Sequence, residues 1–286
     1  MCTNGYMTYL IHGATGAQGG PVVAALRAAG KNVTAAVRNP SNYEGDAVAV
    51  DFNSVASLEE AYLGVEGVFV HLPIGTAEQQ LAHARTIVEA VTRAQPARVV
   101  ASTSGYRVNM TGDGDDAGSV LVRGLMASGV SVAIVESRLY LENLLLPTVT
   151  GPTREEGMLR YPIRDDYRVS WSSHLDIADV VVRLFEQNEV TGVVAVGALP
   201  GLLGDDLAVG FGTYLDREVS FEAQDPDDFG ALITPLFGKA GADPVVASYH
   251  WWLTQADEEI EVGASAQQRL GIEPRSIEQW LRDVQA

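Results

Sequence analysis

A glycine-rich segment follows the first apolar run of the chain. Gly13-Ala14-Thr15-Gly16-Ala17-Gln18-Gly19 lies between a predicted strand, Thr8 to His12, and a predicted helix that contains Val22 and Leu26. Glycine permits the backbone angles of a tight turn and lets the backbone approach a ligand closely. The first amides of the following helix attract phosphate groups. We therefore predict a dinucleotide site on this turn, and a purely structural turn is the alternative. The predicted binding residues are Gly13, Thr15, Gly16, Ala17, Gln18 and Gly19.

The end of the second predicted strand indicates which dinucleotide fits. A site for NAD usually has a carboxylate there, about 20 residues after the turn. This chain has Val37-Arg38-Asn39-Pro40 instead, and no acidic residue occurs between Lys31 and Tyr43. A guanidinium can bind a 2′-phosphate through two hydrogen bonds and can stack on adenine. We predict NADP(H) as the cofactor, with a solvated Arg38 as the alternative.

Short apolar runs alternate with segments of helical period through the first half, which is typical of βαβ units on a parallel sheet. Strands are predicted at Thr8 to His12, Asn32 to Val37, Ala47 to Val50, Gly67 to His71, Arg98 to Ser102, Ser131 to Val135, Gly192 to Ala198 and Glu218 to Ala223. Helices are predicted at Ala77 to Gln95, about Val120 to Ser128, about Asp176 to Gln187 and Ser276 to Val284. Glycines, prolines and charges predict a long loop from Thr148 to Asp166.

This pattern predicts an α/β fold, with a Rossmann doubly wound parallel sheet and a smaller mixed α/β C-terminal substrate domain. We expect residues 1–146 to form the NADP-binding domain, with a late strand and helix at about 168–198 returning to it. We expect residues 147–286 to form mainly the substrate-binding cap.

Further motifs resemble the NmrA-like group of atypical short-chain dehydrogenases. The similar segments are the glycine turn, Val37-Arg38-Asn39-Pro40, Asp51-Phe52, Gly64-Val65-Glu66-Gly67-Val68-Phe69 and Tyr140-Leu141-Glu142-Asn143. The resemblance implies an NADP-binding Rossmann domain and a small C-terminal domain, with the substrate cleft between them. It also implies that Asp51 and Phe52 flank the adenine and that Leu72 and Pro73 line the cofactor channel.

The same resemblance implies where substrate and nicotinamide would lie. Ser102, Thr103 and Ser104 end the fifth predicted strand, and ligands bind at the carboxyl ends of parallel strands. Tyr140 and Asn143 would border the nicotinamide and the substrate. Tyr161 and Trp171 are predicted to line an apolar wall for an aromatic or quinone-like substrate, and core packing is an equal alternative. His174 is expected to follow Trp171 on a strand near the cleft.

The chain departs from related dehydrogenases in its acid catalyst. Their tyrosine acts beside a lysine four residues later, but the only lysines here are Lys31 and Lys239, and neither follows a tyrosine at that spacing. Gly118 and Ser119 stand where many isoflavone-reductase-like relatives have a lysine. Our candidates for the catalytic donor are therefore Ser104, Tyr140 and His174.

Other chemistries are disfavoured by spacing. None of the five histidines has a second histidine or cysteine at metal-ligand spacing, so we expect no metal. His12 and His83 are interpreted as packing or solvated side chains. Ala101-Ser102-Thr103-Ser104-Gly105 lacks the first glycine of a hydrolase nucleophile elbow. Asp113, Asp115 and Asp116 do not complete a calcium loop.

The net charge of the chain disfavours some classes of binding partner. The chain has 37 acidic and 19 basic residues, for a formal net charge of -18, which disfavours nucleic acid and anionic membranes. No apolar run reaches the roughly 20 residues that span a bilayer. Cys2 is the only cysteine, so we expect a reducing, cytoplasmic location. A small-molecule substrate is expected, and a homodimer or a regulatory protein partner is left open.

These features predict an NADPH-dependent oxidoreductase that reduces a small electron-poor carbonyl, enone or quinone-type substrate. The alternative is an NADP-binding redox-sensing regulatory protein with little or no catalysis, which the missing lysine favours. A third hypothesis is a pathway enzyme that keeps the Rossmann fold but uses its pocket for dehydration or cyclisation.

Overall fold

The computed structural model describes residues 8–105, 107 and 116–285. The strands are Tyr9–His12 (β1), Val33–Val37 (β2), Ala47–Ala49 (β3), Gly67–Val70 (β4), Arg98–Ser102 (β5), Ser131–Ser137 (β6), Met158–Tyr161 (β7), Gly192–Val196 (β8) and Ser220–Ala223 (β9). The helices are Gly19–Ala28 (α1), Val55–Tyr62 (α2), Ala77–Ala94 (α3), Ala117–Met126 (α4), Pro147–Glu156 (α5), His174–Glu186 (α6), Gly204–Leu215 (α7), Pro226–Trp252 (α8), Ala266–Leu270 (α9) and Ile277–Asp283 (α10).

The described residues form two compact units, each built from several stretches of the chain. The first unit takes its residues from Met1–Ser137, His174–Val196 and Gly263–Ile272. The second unit takes its residues from Arg138–Ser173, Gly197–Val262 and Glu273–Ala286.

The first unit contains a parallel sheet of seven strands in the described part of the chain, in the order β3-β2-β1-β4-β5-β6-β8. The order runs outward in both directions from β1 and β4, so the predicted Rossmann-like α/β fold is confirmed. β1 pairs with β2 on one side and with β4 on the other. Since the chain winds in opposite directions from this pair, a crevice forms at the carboxyl ends of β1 and β4.

Helices cover both faces of this sheet. α1 packs with α6 on one face, whereas α2, α3 and α4 pack with one another on the opposite face. The central strands β1, β4 and β5 are buried along their whole length, because both faces of the sheet are covered. Leu58, Ile87 and Leu125 from α2, α3 and α4 join the same buried cluster.

The second unit combines a small sheet with helices. β7 pairs with β9 in parallel, from Met158 opposite Ser220 to Tyr161 opposite Ala223. α5 packs on β7, and α7 packs on β9 and α10. α8 consists of two helical segments that meet at Gly238, where φ is 70° and ψ is 165°.

The predicted loop from Thr148 to Asp166 is wrong, because most of this segment is regular structure. It forms the greater part of α5 and all of β7. Pro147 occupies the first turn of α5, where a proline costs no hydrogen bond, and Gly157 ends the helix with a φ of 72°. Of the residues that indicated a loop, Gly157 marks the end of α5, whereas Gly151 and Pro152 are tolerated inside the helix.

No helix among the described residues is long and apolar enough to cross a membrane. Cys2, Asp113 and Asp115 lie outside the described residues. Asp116 begins α4, because its carboxylate accepts a hydrogen bond from the Ser119 amide at 2.9 Å.

Candidate functional site

The glycine turn joins β1 to α1 in a shape that side chains would disrupt. Gly13 has a φ of 62°, and its carbonyl oxygen accepts a hydrogen bond from the Gly16 amide at 2.7 Å. A Cβ at Gly19 would lie 2.2 Å from that same carbonyl oxygen. The turn therefore requires glycine at positions 13 and 19.

The start of α1 differs from the other helix starts around the sheet. Gln18 precedes α1 without a side-chain capping bond, and the first turn contains no acidic residue. In contrast, Ser54, Thr76 and Asp116 cap α2, α3 and α4 with a side-chain oxygen. A helix start without such a cap offers its amides and its positive dipole end to an anion. The turn thus fits a pyrophosphate.

A cavity of about 780 Å³ lies beside the turn. Such a volume is within the range of small-molecule and cofactor sites. Its walls come from the carboxyl ends of β1 to β4 and from the start of α3. The lining residues are His12, Gly13, Thr15, Ala36, Val37, Arg38, Val50, Asp51, Phe52, Asn53, His71, Pro73, Ile74, Gln79 and His83.

Many of the predicted cofactor residues meet at this cavity. Those that line it are Gly13, Thr15, Arg38, Asp51, Phe52 and Pro73. Gly16 and Ala17 are exposed on the turn, whereas Gln18 and Gly19 are buried beneath it. Leu72 packs against the core of the first unit instead of lining the cavity. Arg38 is the only lysine or arginine among the described residues that line the cavity.

Part of the cavity wall is formed by the aromatic rings of His12, Phe52 and His83. The ring of Phe52 lies 5.1 Å from the ring of His12 and 5.5 Å from that of His83, measured between centroids. The Asp51 carboxylate accepts a hydrogen bond from the Asn53 amide at 2.9 Å, which fixes the turn after β3. A flat apolar group such as a purine fits against this wall.

His12 is fully buried at the end of β1 and also lines the cavity. Its Nε2 is 3.0 Å from the Tyr62 hydroxyl oxygen, and its Nδ1 has no partner among the described residues. Burial lowers the pKa of His12 to about 3, with a smaller contribution from the nearby His71. His12 is therefore neutral at pH 7, as expected for a packed histidine.

His71 follows β4 and was not singled out by the sequence reasoning. Its Nδ1 donates to the Leu72 carbonyl oxygen at 3.2 Å, and burial lowers its pKa. The signal that could have found it is its position, because it ends the predicted strand beside which the sheet order reverses. Among the described residues, no three His, Cys, Asp or Glu side chains are grouped to hold a metal ion.

His174 begins α6, so the prediction that it lies on a strand is wrong. The preceding residues form isolated bridges at Val169 and Ser172, and not a strand. Burial lowers the pKa of His174 to about 4, with a contribution from His71. His174 is thus a neutral imidazole at pH 7.

The end of β5 holds the predicted Ser102, Thr103 and Ser104. Ser102 and Thr103 are buried, and the Ser104 amide donates to the Ser102 hydroxyl oxygen at 3.2 Å. Ser104 has a φ of 57°, a left-handed conformation that costs energy outside glycine. None of the three lines the 780 Å³ cavity, which extends along β1 to β4. Their backbone is held in place by β6, since the Thr103 amide donates to the Val135 carbonyl oxygen at 3.0 Å.

The predicted substrate residues of the second unit are brought together in part. Tyr161 and Trp171 are 0% and 1% exposed, with ring centroids 5.5 Å apart. The Asn143 side chain donates a hydrogen bond to the Tyr161 hydroxyl oxygen. The structure thus places Tyr161 and Trp171 in the core of the second unit. Two further aromatic residues, Phe229 and Tyr249, pack against Tyr161 and were missed by the sequence reasoning.

Tyr140 lies at the start of a short 3-10 turn, Leu141–Leu145, and is half-buried. The turn is anchored because the Leu141 amide donates to the Ser172 carbonyl oxygen at 2.9 Å. Its position is therefore set by backbone pairing within the second unit.

Three of the solved structures with the same fold are 16% or 17% identical to this chain in sequence. Triphenylmethane reductase from Citrobacter sp., complexed with NADP(H), has a TM-score of 0.78 and 16% identity, covering 97% of this chain and 99% of that chain. NADPH-dependent quinone oxidoreductase from Escherichia coli, complexed with NADPH, has a TM-score of 0.71 and 16% identity, covering 98% and 100%. A nucleoside-diphosphate-sugar epimerase from Staphylococcus aureus has a TM-score of 0.78 and 17% identity, covering 96% and 100%.

The family comparison covers nearly the whole chain. The model of the NmrA-like family matches residues 7–281, a range that includes the glycine turn, Arg38 and both units. This match confirms the resemblance found in the sequence motifs. The chain therefore belongs to the NmrA-like family.

Proposed function

We propose that the first unit binds NADP(H) and that the protein is an NADPH-dependent reductase of a small electron-poor carbonyl, enone or quinone-type substrate. The observation that carries the proposal is the 780 Å³ cavity beside an uncapped helix start and a glycine turn. It lies where the sheet order reverses, which is where open parallel sheets bind their ligands. The complexes of similar structures with NADP(H) and NADPH support this choice of ligand.

Each part of the cofactor has a matching surface in this proposal. The turn from Gly13 to Gly19 would hold the pyrophosphate, and Arg38 would hold the 2′-phosphate. Phe52 and Asp51 would flank the adenine, and Pro73 would line the channel that leads past β4. Ser102 and Thr103 at the end of β5 would lie beside the nicotinamide.

The role that we assign to the chain's own residues is to polarise the substrate oxygen. We do not assign general acid catalysis by a tyrosine beside a lysine. Bound NADPH would supply a hydride. Ser104 presents its hydroxyl from a left-handed backbone position, and the neutral His174 can donate a hydrogen bond without carrying charge. Either group would stabilise the negative charge that develops on the substrate oxygen. Tyr140 of the second unit remains a predicted donor.

The cofactor choice is tested by replacing the one cation that lines the cavity. In Arg38→Gln, we expect the Kd for NADP⁺ to rise about 10- to 100-fold, because a charge-assisted bond to phosphate is lost. The Kd for NAD⁺, which lacks the 2′-phosphate, should change less than about 3-fold. Titration calorimetry measures both constants. Arg85→Gln is the matched control, because Arg85 is exposed on α3 and does not line the cavity.

Equal weakening of NADP⁺ and NAD⁺ in Arg38→Gln would show that Arg38 does not select the 2′-phosphate. Loss of NADPH absorbance with a panel of quinones and enones tests the reductase activity. If the protein binds NADPH tightly but does not oxidise it with any acceptor in the panel, the reductase hypothesis is contradicted. That outcome would favour the second candidate, an NADP-binding redox-sensing regulator, which the absence of a tyrosine and lysine pair supports.

A further inference from the structure

Few permanently positive side chains line the cavity, although the proposed ligand carries several negative charges. NADP has a pyrophosphate and a 2′-phosphate, and the chain itself has a formal net charge of -18. Arg38 is the only lysine or arginine among the described lining residues, whereas His12, His71 and His83 all line the cavity. Histidine is the side chain whose charge changes most readily near neutral pH.

His71 has an imidazole nitrogen directed at the glycine turn. Its Nδ1 donates to the Leu72 carbonyl oxygen at 3.2 Å, so the neutral ring carries its proton on Nδ1. Its Nε2 is buried and has no partner among the described residues. A Cβ built on Gly13 would lie 2.3 Å from this Nε2, so the nitrogen occupies the space that the missing side chain leaves open. Burying a hydrogen-bond acceptor without a donor costs free energy, unless a bound ligand changes the protonation of this nitrogen.

Burial keeps His71 neutral in the free protein, because it lowers the pKa of the imidazole. His12 from β1 and His174 from the start of α6 are the titratable residues electrostatically coupled to it in the described structure. A positive charge on any of the three would repel a positive charge on the others. Arg38 and Asp51 are the charged residues that line the same cavity. Burial lowers the pKa of all three histidines, so none is protonated at pH 7.

A phosphate near Nε2 would favour the protonated form of His71 over the neutral form. A negative charge within about 4 to 6 Å favours the protonated imidazole, and protonation converts the unpaired acceptor into a donor. We propose that the site takes up one proton on His71 when a dinucleotide binds, so that a buried positive charge on His71 lies against the glycine turn that holds the pyrophosphate. The proton comes from solvent, and no bond in the ligand is made or broken. This inference rests on the proposed NADP(H) site.

Proton uptake makes the affinity depend on pH in a defined direction. Binding raises the pKa of His71, so the affinity increases as the pH falls through the pKa of the complex. One proton taken up corresponds to a change in Kd of up to about 10-fold per pH unit. The 2′-phosphate also titrates, near pH 6, but it contributes equally to wild type and to a His71 variant.

The experiment compares wild type with His71→Asn, using NADP⁺ as the probe. Titration calorimetry in two buffers of different ionisation enthalpy gives the number of protons taken up, and repeated titrations between about pH 6 and pH 8 give the Kd. We expect wild type to take up more protons than His71→Asn, by up to one, and to show the steeper rise of Kd with pH. His250→Asn is the control, because His250 is exposed in the second unit and bonded to Asp227 at 2.9 Å.

Equal proton uptake and equal pH dependence in wild type and His71→Asn would overturn the inference while leaving the cofactor site intact. No binding of NADP⁺ to wild type at any pH would instead reject the proposed function. A measurement on wild type alone avoids any folding defect of the variant. With only five histidines in the chain, ¹⁵N spectra can follow Nε2 of His71, which should become protonated when NADP⁺ is added. An Nε2 that stays unprotonated in the complex would also overturn the inference.

Discussion

Gly19 and Gly20 are neighbours in the sequence, yet a side chain would find very different space at the two positions. A Cβ at Gly19 would lie 2.2 Å from the Gly13 carbonyl oxygen, which belongs to the rigid turn. A Cβ at Gly20 would have its nearest contact at 3.6 Å, an ordinary van der Waals distance. Substitutions at the two positions therefore distinguish the steric requirement of the turn from the general cost of glycine in a helix.

This contrast gives a stability test within α1. Gly19→Ala should lower the melting temperature and weaken NADP⁺ binding, because the turn must move to admit the new methyl group. Gly20→Ala should leave binding unchanged and should stabilise the helix by up to about 1 kcal/mol, since alanine is a better helix former. Thermal unfolding followed by circular dichroism measures both. Equal melting temperatures for the two variants would show that the turn is not sterically constrained at Gly19.

The residue roles that could be predicted from the sequence are those set by local order. The glycine turn and Arg38 follow directly after strands, so their place at the sheet edge depends only on recognising β1 and β2. His71 could not be assigned in the same way, because its importance depends on β4 lying beside β1 and on the orientation of one ring nitrogen. Similarly, only the packed structure shows that Tyr161 and Trp171 are buried.

The clearest element is α3, whose ends were predicted from its sequence. Thr76 and Gln79 form a capping box at its start, since each side chain accepts a hydrogen bond from the other residue's amide. The helix ends at Ala94, before Pro96, as expected for a residue that cannot donate a backbone hydrogen bond. Strong local signals of this kind determine element bounds without tertiary information.

Removing the cap should therefore have a measurable cost. Thr76→Ala leaves the Gln79 amide without its acceptor, and we expect the free energy of unfolding to fall by about 1 kcal/mol. Thr92→Ala is the matched control, because Thr92 is exposed within the same helix and makes no capping bond. Urea unfolding gives both values. The capping interpretation is wrong if the two variants lose the same stability.

α5 and α8 show why other elements could not be predicted. α8 contains Pro235, Pro244 and Gly238, residues that oppose a helix by their local preferences. Its buried residues, such as Phe229 and Tyr249, form an aromatic cluster with Tyr161. Packing in the second unit thus outweighs the local preference, and no short sequence window contains that information.

At the scale of the whole molecule, the buried histidines connect stability to pH. Burial lowers the pKa of His12 to about 3 and that of His174 to about 4, whereas both have ordinary values near 6.5 once the chain unfolds. The unfolded state therefore binds more protons as the pH falls below about 6.5. The stability that neutral histidines allow is fully present above this pH and is lost toward the folded pKa values.

We expect the free energy of unfolding to fall by about 1 kcal/mol for each such histidine between about pH 7.5 and pH 5.5. Most carboxylates stay ionised across this range, so they contribute little to the change. His12→Asn should show a smaller loss than wild type, and the exposed-site variant His250→Asn should match wild type. Urea unfolding at the two pH values makes the comparison. An unchanged pH dependence in His12→Asn would mean that His12 is not neutral in the folded protein.

The strand order also has a consequence for how the protein is made. β8 completes the sheet by pairing with β6, but the segment between them, Arg138–Ser173, belongs to the second unit and α6 follows it. During synthesis β6 leaves the ribosome well before its partner, with an apolar edge open to pairing with other chains. The growing polypeptide thus passes through a period of exposure to aggregation that ends only when Gly192–Val196 has been translated.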